Sequence, residues 1–143
     1  MDNNKLFDLR EYQDLYQKDI AKIIGVKQQT YSMWERGVKI IPLKHLNTLC
    51  NYYDVSMDYV LGLSNNKYLE SKSKSIDKKI IGNNIRTIRE NNNLSIRQLA
   101  TFLNTTPSTI SYYENGKTLV LTAFAYQICK KYNISLDKLT GRL

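Results

Sequence analysis

The chain has 143 residues, 24% of them charged and 42% hydrophobic, and 21 Lys and Arg against 13 Asp and Glu give a net charge of +8 at pH 7. That length admits one ordinary domain or two small ones, since roughly 60 residues is near the lower limit for an independent core. The charge favours polyanionic partners, nucleic acid before an anionic membrane surface. No run of about 18 apolar residues exists and the N-terminus lacks a basic stretch leading into an apolar one, so no membrane partner is expected and the expected location is the cytoplasm. The single histidine, His45, and the two cysteines, Cys50 and Cys129, make no metal-ligand spacing and no disulfide framework. The cysteines are read as small core residues and His45 as a surface residue. With no phosphate-cradling Gly-rich loop, nucleophile elbow or second histidine, neither enzymatic activity nor a cofactor is expected.

The sequence repeats itself. An offset of 79 residues aligns residues 9–62 with 88–141 without a gap, pairing Arg10 with Arg89, Ala21 with Ala100, Glu35 with Glu114, Gly37 with Gly116, Cys50 with Cys129 and Asp58 with Asp137. Other pairs keep apolar character where a core needs it: Ile20 with Leu99, Ile23 with Phe102, Trp34 with Tyr113, Leu49 with Ile128. Two copies of one fold follow, at 1–63 and 77–143, joined by a linker at 64–76 that is rich in Ser, Asn and Lys.

In the first copy, Leu6, Leu9 and Arg10 mark a short first helix, and a second starts at Tyr16 without a recognisable cap and closes at Gly25. The third spans about 28–36 and ends at Gly37. The fourth, begun by Pro42, carries the apolar stripe Leu43, Leu46, Leu49, Cys50 and Tyr53, and Ser56 caps a fifth that Gly62 ends. In the second copy, Ile80, Ile81, Ile85 and Ile88 predict a first helix over 77–91. Ser95 and Gln98 form a capping box for the second, and Asn104 tolerates the left-handed turn that closes it. Thr106 and Pro107 open the third as N-cap and first helical residue; Ala125, Ile128, Cys129 and Tyr132 line the fourth, and Ser135 caps the fifth.

A second and third helix joined by a three- or four-residue turn, with small Ala21 or Ala100 where they cross, make a helix-turn-helix unit. With its stretches Gln17-Lys-Asp-Ile-Ala, Thr30-Tyr-Ser-Met-Trp-Glu-Arg-Gly and Val55-Ser-Met-Asp-Tyr-Val-Leu-Gly, and with Arg97-Gln-Leu-Ala, Thr109-Ile-Ser-Tyr-Tyr-Glu-Asn-Gly and Ile134-Ser-Leu-Asp-Lys-Leu-Thr-Gly in the second copy, the chain resembles the phage-repressor and Cro-like helix-turn-helix (XRE) family. The resemblance implies an all-α chain of two tandem five-helix lambda-repressor-like DNA-binding domains, each inserting its third helix into the major groove of double-stranded DNA. It places Gln28, Gln29, Ser32 and Met33 near base edges in the first copy, and Pro107, Ser108, Ser111 and Tyr112 in the second. Phosphate contacts are expected from Gln17, Lys27, Arg36, Lys39 and Lys44, and from Ser95, Arg97, Asn115 and Lys117, with the cap Thr106 beside them. Tyr31 and Trp34, replaced by Ile110 and Tyr113, read as core. The pairs Arg10–Glu35 and Arg89–Glu114 are implied to be partly buried salt bridges.

Both copies depart from the family. Lys27 stands where a Ser or Thr cap is usual, and Ile96 takes the place of Gln17. Charge divides unevenly too: residues 1–63 carry eight positive and eight negative side chains, whereas 77–143 net +6. Non-specific attraction is therefore expected mainly from the second copy and base discrimination more from the first. The expected function is a bacterial or phage-type transcriptional regulator, acting as a repressor by occupying an operator. The alternative is an adaptor or antitoxin in which one copy binds a protein partner. Related domains act as dimers on half-sites roughly 34 Å apart; here one chain carries two readers on a linker that can extend to roughly 40 Å, so a homodimer is allowed but not required.

Overall fold

A computed structural model describes residues 4–70 and 75–143, so part of the predicted linker, 71–74, lies outside the described residues. The chain divides into two units, Met1–Glu70 and Ser71–Leu143, and the described residues form ten α-helices, five in each unit.

The first unit contains α1 (Leu6–Tyr12), α2 (Gln17–Ile24), α3 (Gln28–Glu35), α4 (Leu43–Tyr53) and α5 (Met57–Val60). Its core is built from the predicted stripe: Leu43, Leu46, Leu49 and Cys50 of α4 are buried with Leu6, Ile20, Tyr31, Trp34 and Met57. Gly25 takes the left-handed conformation, φ 76°, that ends α2 and turns the chain into α3. The N-terminus of α2 has half of a capping box, the Asp19 carboxylate accepting from the Tyr16 N–H at 2.8 Å. At the other end of the unit, the Lys5 N–H donates to the Val60 carbonyl at 3.0 Å, tying the start of the fold to α5.

The second unit repeats the plan in α6 (Lys78–Asn91), α7 (Ile96–Leu103), α8 (Pro107–Glu114), α9 (Thr122–Tyr132) and α10 (Leu136–Leu139). It is better capped. Asp77, Ser95, Thr106 and Ser135 are N-cap residues whose side chains each accept a backbone N–H of their helix; in the first unit Ser56 does this for α5, while the first turn of α1 relies on Asn4, which accepts from the Leu6 N–H at 2.8 Å. Asn104 supplies the left-handed residue after α7, φ 56°. A buried ion pair, Arg142 to Asp137 at 3.0 Å, closes the unit after α10; the aligned first-unit position holds Leu63.

Three details differ from the sequence reading. Ile23 and Phe102, aligned as core positions, are exposed at the ends of α2 and α7; Phe102 leans edge-on against Tyr132 with 6.3 Å between ring centres. His45 is not a free surface residue: its ring lies 5.2 Å from that of Trp34. Finally, residues 66 and 67, inside the polar stretch assigned to the linker, hydrogen-bond to the first unit. Their carbonyls accept from Ser56 Oγ and Ser56 N, both at 2.8 Å, and the Lys67 ammonium sits over the rings of Tyr12, Tyr59 and Tyr68 at 5.5, 6.0 and 5.8 Å.

Gly82 explains how closely α6 packs on the end of α8. A Cβ at that position would collide with the backbone carbonyl oxygen of Tyr113, which cannot swing aside as a side chain could. Gly82→Ala is therefore expected to destabilise the second unit by about 1–3 kcal/mol, although alanine is the better helix former by about 1 kcal/mol; a thermal melt followed by circular dichroism that showed no loss would contradict this packing. Conversely, Lys27 has the extended backbone of an N-cap, φ −72° and ψ 146°, but no side-chain cap. Lys27→Thr, which copies Thr106, is expected to stabilise the first unit by about 1 kcal/mol. The urea midpoint read by the fluorescence of Trp34, the only tryptophan, should rise.

Candidate nucleic-acid interface

The α2–α3 and α7–α8 pairs are each joined by three residues, 25–27 and 104–106. Ala21 and Ala100, the small residues of α2 and α7, are buried. On α3, Tyr31 and Trp34 are buried, their rings edge-on with centres 6.4 Å apart; on α8, Ile110 and Tyr113 do the same job. The helical period then sends the intervening residues outward.

Gln28 and Gln29 are exposed, while Ser32 and Met33 are half-buried. These four line one shallow cleft with Gln17 and Arg36. In the second unit Pro107, Ser108 and Ser111 line a cleft with Ser95, Arg97 and Arg89; Pro107, Ser108 and Tyr112 are exposed and Ser111 half-buried. The expected phosphate-binding cations Lys27, Arg36, Lys39, Lys44, Arg97 and Lys117 are all exposed. Lys27, Lys39 and Lys44 do not line the first-unit cleft, and Lys117 does not line the second. The Lys117 ammonium lies over the Tyr112 ring at 5.5 Å.

Three of the polar candidates have structural duties. Gln17 turns its amide toward Glu35, Nε2 to Oε1 3.4 Å. Ser95 Oγ accepts from the Gln98 N–H at 3.1 Å while the Gln98 side chain accepts from the Ser95 N–H at 2.8 Å. Thr106 Oγ1 accepts from the Thr109 N–H at 3.2 Å and shares a 2.9 Å contact with the Thr109 hydroxyl.

Behind each third helix lies the same ion pair. Arg10 Nε and Nη2 donate to Glu35 at 2.9 and 2.7 Å, and Arg89 Nε and Nη2 donate to Glu114 at 2.7 and 3.0 Å. In both, Nη1 donates to the carbonyl just before the second helix, Leu15 or Leu94, at 2.8 Å. Burial pushes the Glu35 carboxyl up, but the Arg10 guanidinium, the facing Tyr31 phenol and the Gln17 amide outweigh it and hold the carboxyl below its ordinary value. Hydrogen bonding to Glu35 raises Arg10, so this pair stays charged throughout the physiological range.

One residue beside the candidate interface escaped the sequence reading. Arg86 donates from Nε to Glu114 Oε1 at 3.3 Å and from Nη2 to Asn115 Oδ1 at 3.1 Å. Its signal was there: it lies three residues before Arg89 on one helix face, and the repeat aligns it with Phe7, so the second copy gains a charge.

The sequence pattern of the Helix-turn-helix family matches residues 6–60 and again 85–139. The chain belongs to that family, with two copies in tandem. It is 38% identical over 60 residues to the uncharacterized HTH-type transcriptional regulator YobD of Bacillus subtilis, covering 42% of this chain and 54% of that protein. It is 31% identical over 80 residues to the cryptic phage CTXphi transcriptional repressor RstR of Vibrio cholerae, covering 54% and 72%. To the antitoxin PezA of Streptococcus pneumoniae it is 32% identical over 62 residues, 43% of this chain and 39% of that protein. The chain thus spans about half the length of YobD. Among the described residues no helix is long and apolar enough to cross a membrane.

Burial and the neighbouring Lys44 lower the His45 imidazole below its ordinary value. A lowered folded-state value means that the unfolded chain takes up the proton more readily, so stability rises with pH and falls as pH drops through about 6.5. With no other histidine in the chain, the first unit should lose stability between pH 7.5 and 5.5. His45→Phe, which copies Phe124 of the second unit, should flatten that dependence. Urea titrations read by Trp34 at the two pH values check it.

Proposed function

We propose that the chain is a sequence-specific binder of double-stranded DNA and a transcriptional regulator, a repressor by operator occupancy, with α3 and α8 as the helices that enter the major groove. What carries this reading is the two-faced third helix: a buried apolar back, Tyr31 and Trp34, against an exposed polar front, Gln28 and Gln29. An α-helix fits the major groove, and a glutamine amide can pair with adenine N6 and N7, a contact that discriminates by about 1–3 kcal/mol. The shared names of YobD and RstR as transcriptional regulator and repressor support the regulatory role.

Arg36, Lys39 and Lys44, and Arg97 and Lys117, supply sequence-independent attraction to phosphate. The two units are unequal in this. The second carries the surplus positive charge, the first the glutamines, so the second gives more of the salt-sensitive affinity and the first more of the base preference. One chain offers two reading helices, which makes a homodimer optional.

Selection from a random duplex library tests this. Gln28→Ala with Gln29→Ala is expected to relax base preference at adjacent positions, while Lys117→Ala weakens all sequences alike and lowers the salt slope by about 1. An unchanged preferred sequence in the double variant would remove α3 from the role of reader.

A second reading has its own support, the similarity to an antitoxin and the balanced charge of residues 1–63: one copy binds a protein partner. A chain acting purely as an adaptor, with neither copy on DNA, shows no salt-sensitive binding to random duplex DNA.

A further inference from the structure

In both units the half-buried serine in the middle of the third helix has a hydrogen bond arriving at its hydroxyl oxygen. Arg36 Nε donates to Ser32 Oγ at 3.1 Å, and Asn115 Nδ2 donates to Ser111 Oγ at 3.2 Å. The two donors occupy matched positions of the repeat but differ in chemistry. A guanidinium has no acceptor, so the first bond can run only one way. An asparagine amide by itself could present either its oxygen or its nitrogen to the serine.

Arg86 removes that freedom. Its Nη2 lies 3.1 Å from Asn115 Oδ1, and only an oxygen can face a donor-only group, which leaves the amide nitrogen facing Ser111. Arg86 is itself fixed by Glu114, whose carboxylate is buried and already forked by Arg89. Donation therefore runs one way from Arg86, which Glu114 anchors, through Asn115 to Ser111. In the first unit Arg36 achieves the same polarity directly, and the position aligned with Arg86 holds Phe7.

A hydroxyl that already accepts one hydrogen bond is polarised toward donating the next. A free serine reads either a donor or an acceptor on a base edge; one held in this way favours acceptors. Guanine O6 and N7, adenine N7 and thymine O4 are acceptors in the major groove, whereas cytosine offers only the donor N4.

We propose that Arg86 is a positioning residue for base discrimination: acting through Asn115, it makes Ser111 a hydrogen-bond donor, so that the second unit disfavours cytosine at the base that Ser111 faces. This rests on the DNA-reading function proposed above and assigns its specificity at one position.

Selection from a random duplex library with the full chain, at fixed salt, tests it. Wild type is expected to bind sites with cytosine at one position about three- to tenfold more weakly than sites with guanine or thymine there. Ser111→Ala and Arg86→Ala should each shrink that ratio to below about twofold, while Arg86→Lys, still a donor-only cation, should keep most of it. Asn115→Asp gives a second route if Arg86→Ala fails to fold. It is isosteric and retains a partner for Arg86, but it turns an oxygen toward Ser111, so the hydroxyl must donate inward. All sequences should bind more weakly because of the added negative charge, and the cytosine penalty should vanish. A uniform loss in Arg86→Ala or Asn115→Asp with the cytosine ratio intact overturns the proposal, as does a wild type that binds DNA yet excludes cytosine nowhere. A wild type with no salt-sensitive DNA binding at all removes the DNA-reading function itself, and this assignment with it.

Discussion

The fork between an arginine of the first helix and the glutamate that ends the third is the constraint on which each unit is organised. Two nitrogens of Arg10 grip Glu35, and its remaining nitrogen holds the Leu15 carbonyl. One side chain therefore fixes the first helix, the loop into the second and the last turn of the third. Such a pair costs much to break, because removing either partner leaves a buried charge alone. Its planar geometry also sets direction as well as distance, which a packed pair of leucines does not.

From that anchor the two units diverge. The second is capped at four helix starts and adds the buried Arg142–Asp137 pair. The first makes up for sparse capping with other contacts: Asn4 donates to the Trp34 carbonyl at 2.8 Å, Trp34 stacks on His45, and the chain after α5 returns to Ser56 through residues 66 and 67. Each unit thus has its own means of holding a third helix whose outer face is polar and contributes nothing to the core. That division suits a surface selected for what it contacts, because side chains on the outer face can change while the buried back of the helix stays fixed.

Much of this was legible from residue types. The capping box of Ser95 and Gln98, Thr106 before Pro107, and the turn residues Gly25 and Asn104 gave helix boundaries, because caps and left-handed turns are local chemistry. Tyr31 and Trp34 could be read as core because their aligned partners are Ile110 and Tyr113, apolar or aromatic in both copies. The same comparison misled at Ile23 and Phe102, which are apolar in both copies yet exposed: apolar character allows burial without requiring it. Lys67 was unreadable as a contact, since a lysine in a polar stretch gives no sign that three tyrosine rings converge on it.

By itself, then, the sequence determined the two copies, their helices, their turns and the face of each third helix that lies inward, all of which follow from period, cap and repeat. Only the tertiary structure decided the direction of the hydrogen bonds at the second unit's cleft, Arg86 to Asn115 to Ser111. The physical reason is that hydrogen-bond polarity depends on which donors meet in space. Arg86 and Asn115 are 29 residues apart, and no local propensity reports that meeting.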